Sequence, residues 1–244
     1  MNYPQYIYEW ILDLIFPARC LECGAFLTQN KGYICKKCLK SIPLKKSFEC
    51  IGCKKSTPLG RTCISCKNDA SVDQLLIVSD YSCRSIVELI KALKYRFIKE
   101  VALPFSIITK RYIAWLGTKK KFNILLENPL IIPVPLHPRR LNWRGFNQAE
   151  LIAEAVANIL NLNPSPDILR RKTDRKAQVK IEGRAERLEN IKNIFQINPE
   201  ASVNGRVILL IDDVCTTGAT LNECAKTLKD GGAKKVIGLV IARG

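Results

Sequence analysis

The sequence lacks the features of an exported or membrane-spanning protein. The stretch from Tyr3 to Phe16 is apolar and aromatic, but no Lys or Arg precedes it, it carries Glu9 and Asp13, and it is too short to cross a bilayer. We therefore expect neither secretion nor stable membrane insertion, and we expect a cytoplasmic protein. Apolar residues at helical spacing in this stretch predict one face that packs on the rest of the protein: Ile7, Trp10, Ile11, Leu14 and Ile15.

Acidic residues are scarce relative to basic ones. The 244 residues include 22 Asp and Glu against 39 Lys and Arg, which gives a formal net charge of +17. Such a charge favours polyanionic or phosphorylated partners, although it supplies attraction without specificity. The length and the hydrophobic fraction of 47% allow one large or two small domains with a real core.

Histidine is almost absent, whereas cysteine is abundant at the front of the chain. Two cysteines of a Cys-x-x-Cys turn point at one ion, and two such turns complete a tetrahedral site. We therefore predict structural zinc in a small Cys-rich domain over residues 1–70, formed by an N-terminal helix and a double zinc ribbon. Sequential and crosswise pairing of the turns both satisfy this geometry. The predicted ligands are Cys20, Cys23, Cys35, Cys38, Cys50, Cys53, Cys63 and Cys66.

Other uses of these cysteines fit the sequence less well. Disulfides are disfavoured without an export signal, and a thioredoxin-like redox pair would need a βαβ context. Closed Cys₄ sites leave no open coordination position, so the module is expected to stabilise or dock, and two zinc thiolate sites would lower the net charge to about +13. Of the remaining cysteines, Cys83, Cys215 and Cys224, we interpret Cys224 as a core residue. Cys215 has no nearby general base, which leaves nucleophilic catalysis as a minor alternative.

Residues 207–220 are the most informative part of the sequence. Val207 to Ile211 is continuously apolar, as expected for a central parallel strand covered on both faces. Asp212 and Asp213 therefore emerge at the carboxyl edge of that strand, where ligands bind in open α/β sheets. Beyond the turn that follows, a helical stripe ending at the Gly231–Gly232 pair is predicted by Leu221, Cys224, Ala225 and Leu228.

The turn between this strand and this helix suits a phosphate. The first turn of a helix leaves backbone N–H groups unpaired at the positive end of its dipole. Gly218 permits close approach, and three threonine hydroxyls add donors. Carboxylates do not bind phosphate, but they accept hydrogen bonds from sugar hydroxyls, so the combination predicts a ribose 5′-phosphate site. The turn comprises Cys215, Thr216, Thr217, Gly218, Ala219 and Thr220.

This stretch resembles the phosphoribosyl pyrophosphate signature of type I phosphoribosyltransferases, with its acidic pair and threonine–glycine turn. The resemblance implies an α/β domain over residues 71–244, a parallel sheet flanked by helices, and Mg²⁺ bound together with phosphoribosyl pyrophosphate. One alternative is an ordinary buried strand with an acidic loop. Another is a receiver domain, but that fold carries its acidic pair on the first strand, whereas here one further strand, Lys235 to Ile241, remains.

A basic loop in the middle of the chain fits the same family. Ile131 to Arg140 begins as a strand and breaks at its prolines, and a helix with Ile152, Val156, Ile159 and Leu160 on one face follows. In the family the loop after the first core strand contacts pyrophosphate, and Arg140 would add fixed charge there. We interpret the single histidine as a solvent-exposed loop residue, with proton transfer as the alternative. The implied binding residues are Pro135, Leu136, His137, Arg139 and Arg144.

The segment between the cysteines and this loop predicts a strand from Gln74 to Ser79 and helices over Arg84–Tyr95 and Lys99–Trp115. The first helix buries Ile86, Leu89, Ile90 and Leu93. Its basic residues are then left to solvent or to an anionic ligand: Lys91, Lys94 and Arg96. Nearby aromatics are expected to pack in the core, with base stacking as the alternative: Tyr95, Phe97 and Trp143.

Together with the cysteine turns, PVPLHPRRLNWRGFNQ, RRKTDRKAQ and LLIDDVCTTGATL resemble the ComF family of competence-associated phosphoribosyltransferase-like proteins. The resemblance implies that Asp212 and Asp213 hold the ribose of phosphoribosyl pyrophosphate, or of a nucleotide, during transfer to an unknown acceptor. It also implies a lid between Arg170 and Asn190 and an association with DNA uptake and the competence machinery. The alternative is a competence factor that binds single-stranded DNA without catalytic turnover.

Overall fold

The computed structural model describes residues 18–27, 33–119, 128–172 and 193–244. The predicted N-terminal helix from Tyr3 to Phe16 lies outside these residues, as does most of the predicted lid between Arg170 and Asn190. Within the described residues, the cysteine-rich module precedes an α/β domain. The boundary predicted at residue 70 stays a prediction.

The described ranges contain six strands, six α-helices and three short 3₁₀ turns. The strands are β1 Gln74–Asp80, β2 Leu130–Pro133, β3 Leu169–Arg171, β4 Phe195–Ile197, β5 Val207–Cys215 and β6 Lys235–Arg243. The helices are α1 Lys36–Ser41, α2 Arg84–Tyr95, α3 Ala102–Gly117, α4 Pro138–Arg144, α5 Gln148–Leu160 and α6 Ala219–Asp230. The 3₁₀ turns are Pro58–Gly60, Ile64–Cys66 and Lys99–Val101.

Four strands form a parallel sheet in the order β1, β6, β5, β2. β5 is central, since it pairs with β6 on one side and β2 on the other, and its residues from Val207 to Ile211 are buried. The prediction of a central strand covered on both faces is therefore confirmed. β3 and β4 pair antiparallel in a separate two-stranded sheet.

Helices cover both faces of the parallel sheet. Side chains alternate along β5, so Leu209 and Ile211 pack in a core with α2, α3 and α5, whereas Ile208 and Leu210 pack in a core with α6. We call these the α2 face and the α6 face. The predicted fold class, a parallel sheet flanked by helices behind a cysteine-rich module, is confirmed.

The predicted helices are also present. α2 has the predicted bounds, and α3 continues from the 3₁₀ turn at Lys99–Val101. α6 ends at Asp230 because Gly231 caps it, as expected from the glycine pair. No helix in the described ranges is long and apolar enough to span a membrane.

The cysteine-rich module packs directly on the α/β domain. Ser79 Oγ in β1 donates to the carbonyl of Pro43 at 2.7 Å, and Lys45 Nζ pairs with Asp80 Oδ1 at 2.6 Å. Burial opposes the charge of Lys45, but Asp80 and Glu49 outweigh it and raise the pKa of this ammonium group. The module is therefore joined to the sheet by partly buried polar contacts as well as by the chain.

Candidate functional site

The two predicted acidic residues lie at the carboxyl end of β5. Strand alternation places Asp213 on the α2 face and Asp212 on the α6 face. Asp213 is only 3% exposed, and its Oδ1 pairs with Lys94 Nζ at 2.8 Å. Asp212 is partly exposed, and its Oδ1 accepts a hydrogen bond from the backbone N–H of Asp213 at 2.8 Å. The pair therefore comprises one partly exposed and one buried carboxylate at the sheet edge.

The pairing of Lys94 with Asp213 corrects the expectation that this lysine faces solvent or an anionic ligand. Lys94 lies in the last turn of α2, which packs on the face of the sheet that Asp213 occupies. No local pattern distinguishes it from Lys91, which pairs instead with Glu88 at 2.9 Å. Lys94 is thus a site residue that the sequence did not reveal.

Arg144 is 8% exposed, and its charge interacts with that of Asp213. Its Nη1 donates to Gln148 Oε1, and burial lowers its pKa while the charge of Asp213 acts in the opposite direction. Within the described residues, Arg144 Nε and Asp213 Oδ2 are both buried without a hydrogen-bond partner. An unsatisfied buried polar group costs about 1–3 kcal/mol, so a ligand hydroxyl that bonds to either atom would recover free energy.

The carboxyl group of Asp212 has an unusual pKa. Burial and then repulsion from Asp213 raise it to about 7, while the charge of Lys94 acts in the opposite direction. Near neutral pH this group therefore changes between a carboxylate that only accepts hydrogen bonds and an acid that donates one.

The predicted phosphate turn follows directly and leads into α6. Gly218 is the N-cap residue of α6, with φ of +82°, a region that glycine adopts without steric cost. Thr216 and Thr217 are exposed, and Thr217 Oγ1 accepts a hydrogen bond from the N–H of Ala219 at 3.3 Å. Two exposed threonines and the N-terminus of a 12-residue helix thus follow the acidic pair directly.

The predicted pyrophosphate loop forms a cavity of about 280 Å³ against β3. Pro135 and Leu136 line it, whereas neither Asp212 nor Asp213 does. The other lining residues are Pro133, Pro138, Leu141, Asn147, Glu150, Pro166, Leu169, Arg170 and Arg171. Among the described residues, the loop and the acidic pair therefore lie at one sheet edge but do not share one enclosed cavity.

His137 begins α4 and is partly buried, which differs from the expected exposed loop position. Its Nδ1 accepts a hydrogen bond from the N–H of Arg139 at 3.1 Å, so it serves as the helix N-cap. Burial and then the charges of Arg171, Arg139 and Arg140 lower its pKa. The imidazole is therefore neutral at physiological pH.

Arg171 in β3 is a second residue that sequence reasoning did not assign. Its guanidinium lies 5.7 Å from the ring centroid of Phe195, and burial followed by repulsion from Arg140 lowers its pKa. With the exposed Arg139 and Arg140 it places positive charge around His137. The RRKTDRKAQ segment contains Arg171, but only the docking of β3 places it near the loop.

Two cysteine clusters occupy the front of the molecule. The first cluster is Cys20, Cys23, Cys35 and Cys38; the second cluster is Cys50, Cys53, Cys63 and Cys66. Within each, all four sulfurs lie within 4.8 Å of one another, so the turns pair sequentially. The Sγ atoms of Cys23 and Cys35 are 3.9 Å apart, and those of Cys53 and Cys63 are 3.7 Å apart. A zinc tetrahedron with bonds of about 2.3 Å has sulfur separations of about 3.8 Å, so both clusters fit structural zinc.

The aromatic residues near the site are exposed, so the expectation that they pack in the core is wrong. Tyr95 is 65% exposed, Trp143 is 61% exposed and Phe97 is 37% exposed. The rings of Phe97 and Trp143 meet edge to face with centroids 4.8 Å apart. We call these three residues the aromatic patch.

Known proteins share both parts of this architecture. Residues 147–244 match the family described as phosphoribosyl transferase domain, and residues 11–67 match the double zinc ribbon domain. The chain is 30% identical over 227 residues to competence protein F of Haemophilus influenzae, covering 91% of this chain and 95% of that one. It is 29% identical over 224 residues to DNA utilization protein YhgH of Salmonella typhimurium, covering 91% and 96% of the two chains.

Among solved structures, the chain is similar to purine phosphoribosyltransferase from Pyrococcus horikoshii. The identity is 15%, the match covers 57% of this chain and 83% of that chain, and the TM-score is 0.35. A similarity this distant supports no functional conclusion.

Proposed function

Because the chain belongs to the ComF family of competence and DNA-utilisation proteins, we propose that its phosphoribosyltransferase domain binds phosphoribosyl pyrophosphate and transfers the phosphoribosyl group to an acceptor. The acceptor is a nucleophile that the site does not identify. The carboxyl edge of β5 and the turn that follows it support phosphoribosyl pyrophosphate as the donor.

One observation carries this proposal: Asp213 Oδ2 and Arg144 Nε are both buried and unsatisfied, and Asp213 shortly precedes the turn that begins α6. A ribose hydroxyl donates to a carboxylate and accepts from a guanidinium, so it would satisfy atoms of both kinds. Asp212, on the other face of β5, would accept a hydrogen bond from a second ribose hydroxyl. Asp212 and Asp213 are thus the proposed catalytic residues.

The two ends of the donor would lie against positively polarised groups on either side of the ribose. The 5′-phosphate would lie against the turn from Cys215 to Thr220, where the N–H groups of α6 begin. The pyrophosphate would lie toward Pro135, Leu136 and His137, with Arg139 and Arg144 supplying charge. Mg²⁺ bound with the donor would neutralise part of the charge on the departing pyrophosphate. Bond breaking would lead bond making, so the residues would act by positioning and electrostatic stabilisation.

Titration calorimetry with phosphoribosyl pyrophosphate and Mg²⁺ tests the donor assignment. Asp213→Asn is expected to weaken binding at least about tenfold, because the charged acceptor for the ribose is replaced by a neutral amide. Asp230→Asn, an exposed change at the far end of α6, is the matched control and should bind like the wild type. Undiminished binding by Asp213→Asn would refute its role. A screen of cell-extract metabolites for release of pyrophosphate tests transfer.

A second candidate function is single-stranded DNA binding without turnover, which the aromatic patch favours. Exposed aromatic rings among basic residues provide stacking surfaces for bases, and the positive chain supplies attraction to the backbone. Arg96 adjoins the patch, and Lys99 Nζ lies 5.3 Å from the ring centroid of Phe146 nearby. The exposure of these rings matters because a buried aromatic ring could not stack on a base.

Oligonucleotide binding measured against salt concentration tests this function. Trp143→Ala is expected to cost about 1–3 kcal/mol of binding free energy, the usual contribution of a stacked base. Phe26→Ala is the matched control, since Phe26 is 61% exposed but lies in the cysteine-rich module. Absence of wild-type affinity near physiological salt would remove this function and leave the donor-binding proposal standing.

A further inference from the structure

The second cysteine cluster touches the phosphate turn. Ile51, which follows Cys50, is 2% exposed. A Cβ added to Gly218 would lie 2.8 Å from Ile51 Cγ1 and 3.7 Å from Cys215 Sγ. Ile51 therefore fills the space beside Gly218 and forms one wall of the turn that begins α6.

The backbone around Ile51 is tied to the end of β6, which pairs with the end of β5. Arg243 is 6% exposed and donates from Nη1 to the carbonyl of Cys50 at 2.9 Å and from Nη2 to the carbonyl of Ile51. Its Nη1 also pairs with Glu49 Oε1 at 2.9 Å, and Arg243 lies opposite Cys215 in the strand register. One buried guanidinium thus fixes the second cluster against the strand end from which the turn departs.

A second link runs through the next residue. The N–H of Gly244 donates to the carbonyl of Cys215 at 3.1 Å, and the carbonyl of Gly244 accepts from Lys54 Nζ at 2.9 Å. Lys54 follows Cys53 of the second cluster. Cys50 and Cys53 are therefore each followed by a residue that makes one of these contacts. Ile51 packs against Gly218, and Lys54 bonds to Gly244 directly after β6.

The first cluster makes its contacts elsewhere. Arg111 of α3 donates to the carbonyls of Leu39 and Ile42 at 3.1 and 3.2 Å, and Ser85 Oγ of α2 donates to Glu22 Oε2 at 2.9 Å. These contacts hold the first cluster against helices of the α2 face. Within the described residues, the two clusters therefore have separate docking positions.

We propose that the second cluster is part of the phosphate-binding site, with Ile51 and Arg243 as positioning residues that hold the turn from Thr216 to Thr220 in its binding conformation. This inference rests on the proposed binding of phosphoribosyl pyrophosphate. The physical basis is preorganisation: a turn held in place by a packed side chain loses less conformational entropy when the phosphate binds. Metal bound in the second cluster would fix the Cys50–Cys53 turn that carries Ile51, whereas the contacts of the first cluster lie on the α2 face.

Ile51→Ala is the decisive variant, and Ile64→Ala is its matched control. Both isoleucines occupy the position after the first cysteine of a turn in the same cluster, but Ile51 is 2% exposed and Ile64 is 92% exposed. Donor affinity is measured by calorimetry, zinc content by elemental analysis, and opening of residues 216–220 by hydrogen exchange. Ile51→Ala is expected to keep two zinc ions, to weaken donor binding about tenfold and to exchange faster at the turn. Ile64→Ala should match the wild type.

A stability control separates positioning from general destabilisation. Ile34→Ala removes a side chain that is 6% exposed beside the first cluster, so it should lower the melting temperature without changing donor affinity or exchange at the turn. Equal affinity and equal exchange in wild type and Ile51→Ala would overturn the positioning role while leaving donor binding intact. Wild-type protein that binds no donor would instead overturn the proposed function, and exchange at the turn would still report on the contact of Ile51.

Discussion

The two cysteine clusters have the same sequence pattern and similar sulfur geometry, yet they support different parts of the molecule. In both, burial opposes ionisation of a thiol, but backbone N–H groups outweigh it and lower the thiol pKa, to about 7 for Cys20 and about 6 for Cys50. The difference lies in the residues between the cysteines: Glu22 contacts α2, whereas Ile51 contacts the phosphate turn. Ligand spacing thus predicts where metal binds, but the intervening side chains decide what the metal site supports.

The largest expected difference comes from the arginines that anchor each cluster. Arg243→Met should lower the free energy of unfolding by roughly 3 kcal/mol, because it leaves the carbonyl of Ile51 unsatisfied, removes one of two donors to the carbonyl of Cys50 and removes a buried partner of Glu49. Arg111→Met should cost about 1 kcal/mol, since its two hydrogen bonds are only part-buried. Denaturant unfolding of both variants checks this order, and equal losses would contradict the stronger anchoring of the second cluster.

A difference of similar size is expected at two glycines with positive φ. Gly24, beside the first cluster, has φ of +72° and only open space where a Cβ would lie, whereas Gly218 contacts Ile51. Gly24→Ala should cost about 1 kcal/mol of stability for backbone strain alone. Gly218→Ala should cost about 3 kcal/mol, because overpacking adds to the strain.

A double variant tests whether Gly218 and Ile51 interact. Combining Gly218→Ala with Ile51→Ala should recover part of the lost stability, because the methyl group then has room. Additive losses in this double-mutant cycle, measured by denaturant unfolding, would show that the two residues do not interact.

The smallest expected effect is the pH dependence of stability that arises from Asp212, which lies on the same face of the sheet as Ile51. The folded-state pKa of Asp212 is about 7, above its ordinary value of 3.8, so the folded protein binds more protons between these values. Stability from this group is therefore present at low pH and lost as pH rises from about 4 to 7. Asp212→Asn should gain roughly 1–2 kcal/mol over wild type at pH 8 and nothing at pH 4. Urea unfolding at the two pH values checks this, and a gain of equal size at both would contradict the assigned pKa.

Sequence reasoning succeeded where the signal was local. The apolar run of β5, the helical stripe of α6 and the spacing of the cysteines each lie within a few consecutive residues, and each predicted structure is present. The Lys94–Asp213 pair and the contact between Ile51 and Gly218 depend on how distant elements dock, so no local pattern contained them. The exposure of Trp143 was missed for the same reason, because aromatic character alone does not reveal which side of α4 faces the core.

The roles of the acidic pair and of the basic loop are not decided by their positions alone. The structure pairs Asp213 with Lys94 and brings Arg144 near enough for its charge to interact with Asp213, and it leaves Pro135 and Leu136 in a neighbouring cavity. Their parts in donor binding stay predictions until binding is measured.

The guanidinium of Arg243 bonds to carbonyls 192 and 193 positions earlier in the chain. During synthesis on the ribosome, the cysteines of the second cluster emerge long before β6, so they spend that interval without their anchor. Contacts of such long range are expected to form late and slowly. A nascent chain interrupted ahead of β6 would keep all the ligands of this metal site but lack the support that orients Ile51.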